Sequence, residues 1–165
     1  MSQDEGATEN SKKFTGWIEG IRIAMLTTTG SDGSLWSRPM ATQDADFDGT
    51  LWFFTHGSSP KVKELAAHPQ VSVSYSSPED NRYVSASGRA EVVHDRKKAE
   101  ELWNPILKAW FPDGLEDPDL ALLKVDLDEA EYWSGPSNVA ARIAGFAKAL
   151  VTGATYPGEN EKVDL

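Results

Sequence analysis

The sequence predicts a mainly β fold, with peripheral α-helices around a small six-stranded antiparallel barrel. Three observations carry this expectation. Apolar residues alternate with polar ones in short runs along most of the chain. Turn residues separate the early runs, as in Gly30-Ser31-Asp32-Gly33 and Asp48-Gly49. Helix signals are short and come mostly late, which suits helices added to a barrel rather than a βαβ repeat. The 165 residues suit one domain, since single domains usually take roughly 100–200.

The elements follow in order. Residues 1–13 are polar and without periodicity, and are expected to form a mobile tail; the domain then spans 14–153, and 154–165 form a second polar tail. Ile21, Ile23 and Met25 alternate in a first strand, and the return strand runs from Leu35 to about Gln43. Pro39 lies inside that return strand, which places it at an edge or a bulge. Thr50–Thr55 is a short apolar strand, and Val71, Val73 and Tyr75 alternate with serines in a half-buried one. A long strand from Tyr83 to Val93 is interrupted by Gly88, where a bend or a close backbone approach is expected. Leu122–Tyr132 is the last strand.

Ser59-Pro60 opens a helix through about His68, with serine at the N-cap and proline at N1. Asp95 caps a second helix through Trp103, and Asn104-Pro105 and Asp117-Pro118 mark two further short ones. After Ser137, Val139, Ile143, Phe146 and Leu150 form one apolar stripe that ends near Gly153.

Composition narrows the function. The chain has no cysteine, so thiol nucleophiles, disulfides and iron–sulfur clusters are excluded. Three scattered histidines, His56, His68 and His94, give no metal site. A net charge of −10 argues against a general nucleic-acid binder. No apolar run reaches the roughly 20 residues of a membrane span, and no signal peptide is visible, so a cytoplasmic protein is expected. Six tryptophans are spread through the chain; they suit a core or a subunit interface, with one or two free to stack on a planar ligand.

Three stretches carry candidate chemistry. In Thr55-His56-Gly57-Ser58-Ser59-Pro60-Lys61 a strand end, two hydroxyls and a helix start converge on a lysine. Free N–H groups and the positive helix end suit an anion such as phosphate, and a lysine in the first turn works against helix stability. The same segment fits an ordinary capped helix whose lysine reaches solvent. In Ser37-Arg38-Pro39-Met40 the proline breaks the ladder beside an arginine able to grip phosphate. The other reading of this stretch is an edge proline with Arg38 paired to a carboxylate. Glu131-Tyr132-Trp133-Ser134-Gly135-Pro136 puts Trp133 at a barrel mouth or subunit seam, or as a cap on the core, and in Trp110-Phe111-Pro112 two bulky aromatics end a short helix and can plug one end of the barrel. No Walker loop or Rossmann fingerprint is present. The histidines have no obvious serine and carboxylate partners, and no catalytic residue is assigned.

In order and spacing these stretches resemble the FMN-binding split β-barrel proteins related to pyridoxamine 5′-phosphate oxidase, and within them the general stress protein subfamily. The resemblance runs from about Trp17 to Gly135, through SRPM at 37–40, LWFFT at 51–55, SSPK at 58–61, LAAHPQVSVSY at 65–75, YVSASGRAEVV at 83–93, WFPDG at 110–114 and EYWSG at 131–135. It implies a homodimer with two FMN sites at the subunit interface, FAD being tolerated if the phosphate end is open. It implies that Arg38 meets the phosphate, that Pro39 and Met40 lie along the ring, and that Phe54, Thr55, Ser59 and Lys61 form the phosphate end. Trp133, and in second place Trp110, approach the flavin from the seam. The Arg-Leu-His segment that holds substrate in pyridoxamine phosphate oxidases is replaced here by Ser137-Asn138-Val139-Ala140-Ala141, which argues against vitamin B6 oxidation. The resemblance therefore implies a flavin-binding protein, either an NAD(P)H-dependent oxidoreductase on a small acceptor, a non-enzymatic flavin-sequestering or stress-response protein, or a deazaflavin-dependent reductase.

Overall fold

The computed structural model describes residues 2–43 and 47–165, with side chains from residue 8 onward. A helix α1 (Ser2–Ile18) precedes strands β1 (Ile23–Thr29), β2 (Leu35–Ala41) and β3 (Thr50–His56). Helix α2 (Pro60–Ala67) leads to β4 (Gln70–Ser77) and β5 (Arg82–Val93). Helix α3 (Arg96–Leu102), two short 3-10 turns and β6 (Leu120–Ser134) follow, then α4 (Val139–Thr152) and β7 (Glu159–Asp164).

All recorded pairings are antiparallel, in the order β2-β1-β4-β5-β6-β3, with β7 also on β6. The fifteen-residue β6 holds two strands end to end on one side: β3 along Leu120–Asp126 and β7 along Glu129–Ser134. The six expected strands are present, and β7 is a seventh. Pro39 lies opposite Met25 on β2, an end strand of the path whose recorded ladder is with β1, where its missing N–H interrupts no second ladder.

Gly88 fulfils its expected role. The β5–β6 register shifts between Ser87 and Gly88, and a Cβ at Gly88 would stand 2.1 Å from the Asp126 carbonyl oxygen. A side chain there would force β6 away, so the bulge requires glycine.

The main core lies inside the curl of the sheet, around Phe14, Leu26, Phe53, Val73, Tyr75, Leu123 and Val125. Burial pushes the Tyr75 hydroxyl up to about 12, while Thr42 shares a 3.0 Å hydrogen bond with it. A second cluster joins Phe54 and Leu122 to Leu102, Leu107 and Phe111 beneath α3 and the first 3-10 turn. The Asp95 cap forms as expected, its carboxylate accepting from Lys98 N at 3.0 Å. Asn104 likewise caps the turn at Pro105–Ala109. Asp117-Pro118 starts no helix; its 3-10 turn, Gly114–Glu116, ends just before it.

Both expected tails are corrected. Residues 2–18 form α1, with residue 1 outside the described residues, and residues 159–164 form β7. Phe14 is fully buried, Trp17 nearly so, and Val163 of β7 joins the same core. The two ends also hold each other: Asn10 Nδ2 donates to the Asp164 carbonyl at 2.8 Å, and Lys13 pairs with Glu161 at 2.7 Å. Arg82 closes the far end of α1 by donating to the carbonyls of Gly16, Trp17 and Glu19. Each polar segment finds its partners far away in the sequence: α1 on β5, β6 and β7, and β7 on β6 and α1.

Helix α4 starts at Asn138, whose side chain accepts from Ala141 N, and stops at Gly153 in the left-handed conformation (φ 69°). Its apolar stripe is not buried. Val139, Ile143, Phe146 and Leu150 are 60–71% exposed. Its opposite side meets the C-terminal segment at Gly145, where a Cβ would stand 2.7 Å from Pro157 Cγ.

Candidate functional site

The site is the opening of the curled sheet. Strands β2 and β3 are the two ends of the six-strand path, yet both wall one cleft of about 350 Å3. Pro39 and Met40 come from β2, and Phe54, Thr55 and His56 from β3. Lys61 on α2 closes one side; Ile23, Leu107, Trp110 and Phe111 add apolar wall. Clefts of roughly 300–1,000 Å3 with apolar walls and a few convergent polar groups are the usual form of cofactor sites.

The polar end is built where β3 passes into α2. Pro60 holds the first helical position, and Ser59 is the N-cap with extended backbone (φ −66°, ψ 149°). Its hydroxyl makes no capping bond, unlike an ordinary N-cap serine. Instead it accepts from Lys61 Nζ at 3.2 Å and lies 3.4 Å from Thr55 Oγ1. Among the described residues Lys61 makes no ion pair. Burial, and next the charge of Arg38, push its amine below the ordinary lysine value, with Glu64 opposing. A half-buried ammonium held by a hydroxyl, at a helix start with no side-chain cap, is arranged to receive an anion.

Arg38 does not line the cleft. Its Nη2 pairs with Glu64 Oε2 at 3.2 Å and its Nη1 donates to Thr28 Oγ1, so the carboxylate-paired reading of this arginine describes the structure. Arg38 reaches this end through Glu64, which stands three residues beyond Lys61 on the same helix, and its charge opposes protonation of the lysine.

Six of the nine sequence-predicted site residues therefore share the cleft: Pro39, Met40, Phe54, Thr55, Lys61 and Trp110. Ser59 and Arg38 adjoin its polar end. Trp133 is outside it, 40% exposed on β6 and opposite Tyr83 of β5. Of the six tryptophans, Trp17 is buried, and Trp52 and Trp103 are partly buried in the second cluster. Trp36, Trp110 and Trp133 are exposed, so half of them are available to a ligand or a partner.

Sequence reasoning missed His56, Gln43 and Phe111 in the cleft, and the Thr28–Glu64 support of Arg38. The signal for Glu64 was its spacing three residues beyond Lys61 on one helix, which puts both on one face. His56 also has carboxylate neighbours that the sequence did not suggest: Nδ1 is 3.7 Å from Asp119 Oδ2 and 4.0 Å from Asp117 Oδ2. Ser58 Oγ donates to Asp119 Oδ2 at 2.6 Å. Here the carboxylate stands between serine and histidine. A nucleophile triad needs the histidine between the other two, so this hydroxyl is not activated.

A second depression of about 260 Å3 adjoins the cleft, sharing Ile23, Gln43 and Trp110 and adding Arg22, Trp103 and Asn104. No three histidine or carboxylate side chains are grouped to hold a metal among the described residues, and none of their helices is long and apolar enough to cross a membrane.

Comparison with known proteins agrees with this architecture. Protein bli-3 of Neurospora crassa is 32% identical over 150 residues, covering 85% of this chain and 72% of that protein. The crystal structure of the general stress FMN/FAD binding protein from Xanthomonas citri is 33% identical with a TM-score of 0.68, covering 80% of this chain and 93% of that one. The general stress protein 26 from Bacillus anthracis is 29% identical with a TM-score of 0.66, covering 75% and 93%. The family model described as "Pyridoxamine 5'-phosphate oxidase like" matches residues 9–157, nearly the whole folded chain. This protein, with its split in the barrel between β2 and β3, belongs to the pyridoxamine 5′-phosphate oxidase-like family.

Proposed function

We propose that this protein binds a flavin nucleotide, FMN in preference and FAD where the phosphate end admits it, and acts as a homodimer. The observation that carries the reading is a single cleft with a cationic, hydroxyl-lined end and apolar walls of Met40, Phe54 and Trp110. Those residues fit the group: the polar end matches a phosphate and the walls match a planar ring. The Xanthomonas citri relative, described as FMN/FAD binding, supports the same ligand class.

Lys61 and Ser59 would hold the phosphate, helped by the N–H groups at the start of α2 and the charge of Arg38. Pro39 and Met40 on the end strand β2 would lie along the ring, where the interrupted ladder leaves backbone groups for its polar edge. Trp133 does not line its own cleft; in a dimer it would approach the flavin of the other subunit. The exposed stripe of α4, together with Leu35, Trp36, Ile106 and Trp110, supplies the apolar surface for self-association.

A bound flavin supplies one- and two-electron transfer, and the chain supplies orientation and electrostatics. The adjoining depression with Arg22 and Trp103 is where a second reactant would sit if the protein is an NAD(P)H-dependent oxidoreductase on a small acceptor. The sequestering and deazaflavin readings are separated from it by one series of measurements. The native protein is expected to show a flavin absorption band and release FMN by mass, and NADH or NADPH is expected to bleach that band. A colourless protein that takes up no added FMN would sink the flavin reading. A preference for deazaflavin would move it to that cofactor, and binding without reduction would leave sequestration.

A further inference from the structure

We infer that Glu64 is a positioning residue for the phosphate end, holding Arg38 in place beside Lys61 before any ligand arrives; this rests on the flavin reading above. Three elements meet at its carboxylate. Arg38 from β2 donates from Nη2 to Oε2 at 3.2 Å. Thr28 from β1, fully buried, donates its hydroxyl to the same Oε2 at 2.5 Å and accepts from Arg38 Nη1. Glu64 itself comes from α2, one turn beyond Lys61.

The hydrogen-bond inventory of this cluster is directional. A threonine hydroxyl has one proton, and here it goes to the carboxylate, so its lone pairs can receive the guanidinium. Arg38 thus spends two of its five N–H donors on this floor, and the other three make no hydrogen bond to the described residues. The guanidinium side chain is only 23% exposed and that of Glu64 18%, so neither charge is freely solvated.

The charges explain why a carboxylate belongs where an anion is to bind. Arg38 and Lys61 are like charges close enough that Arg38 depresses the lysine, and Glu64 acts in the opposite sense. Without Glu64 the two partly buried cations would repel and Arg38 would lose its fixed orientation. With it, the end keeps one net positive charge and a held guanidinium. A phosphate monoester then enters a preassembled site and does not have to order the arginine itself.

The test measures FMN and riboflavin dissociation constants by flavin fluorescence in the wild type, Glu64→Gln, Glu64→Ala, Arg38→Ala and the double alanine variant. Thermal melting of each variant checks that it folds, and the isosteric Glu64→Gln covers the case in which alanine does not. Glu64→Ala is expected to weaken FMN about tenfold, the scale of a lost charge-assisted contact, and riboflavin less than about twofold. Glu64→Gln keeps an acceptor for Arg38 and is expected to fall between. In the Arg38→Ala background, Glu64→Ala is expected to add nothing further. Unchanged or tighter FMN binding in Glu64→Ala would overturn the inference, and so would equal losses for riboflavin or additive effects of the two alanines. A wild type that takes neither flavin defeats the flavin reading itself. Tight FMN binding that ignores Glu64 defeats only this inference.

Discussion

The indole of Trp17 stacks on the ring of Tyr132, with centroids 4.9 Å apart and planes 5° from parallel. This contact fastens α1 to β6 across more than a hundred residues, next to the fully buried Phe14. The N-terminal helix is therefore part of the fold. Phe14→Ala is expected to lower unfolding free energy by about 3–5 kcal/mol in a denaturant titration, as for a large buried aromatic. A loss below about 0.5 kcal/mol, typical of surface positions, would return this segment to a tail.

Lys61 is the most direct test of the ligand's polar end. Lys61→Ala is expected to weaken FMN by roughly 10- to 100-fold, the loss of one charge-assisted contact, while riboflavin changes little. Equal losses for the two flavins in a fluorescence titration would show that the amine is not on the phosphate.

The depressed Lys61 amine also sets a pH dependence. A bound phosphate favours the protonated amine, so FMN binding is full below the free-state value of this lysine. Affinity falls as pH rises through that value, which lies under the ordinary 10.5. The ligand-free protein behaves oppositely: the unfolded chain binds more protons in this window, so this group's contribution to stability rises with pH. Titrating FMN between neutral pH and pH 10 checks the first sign. Lys61→Arg, which stays charged, is expected to flatten the profile.

Helix α4 tests the assembly. Phe146→Glu with Leu150→Glu places two charges on its exposed stripe, away from the cleft. Light scattering at micromolar concentration is expected to show a dimer for the wild type and a shift toward monomer for the variant. Trp133→Ala is expected to weaken flavin binding in the dimer. A wild-type monomer that binds FMN fully would rule out a site shared between subunits.

Much of the site was legible because its parts are local. Thr55, Ser59, Pro60 and Lys61 lie within seven residues, and a strand end followed by Ser-Pro specifies their geometry through short-range rules. Pro39 marked an end strand because it has no N–H to give a second ladder. The sequence leaves Arg38 open between phosphate and a carboxylate partner; the structure pairs it with Glu64, 26 residues away, a partner no local pattern names. The placing of His56 near Asp119 lies further still from any local pattern, since 63 residues separate them.

The sequence by itself determined six of the strands, their turns, the bulge glycine and the Asp95 and Asn104 caps, all set by alternation, backbone freedom and near-neighbour hydrogen bonds. Tertiary structure alone decided that the two polar ends become α1 and β7. Neither segment has enough apolar surface to order itself. Each becomes favourable when Phe14, Trp17 and Val163 enter a core already enclosed by the sheet, and when Asn10 and Lys13 meet Asp164 and Glu161. It also decided that β2 and β3, the two ends of the sheet path, face one cleft, because that depends on how the whole sheet curls.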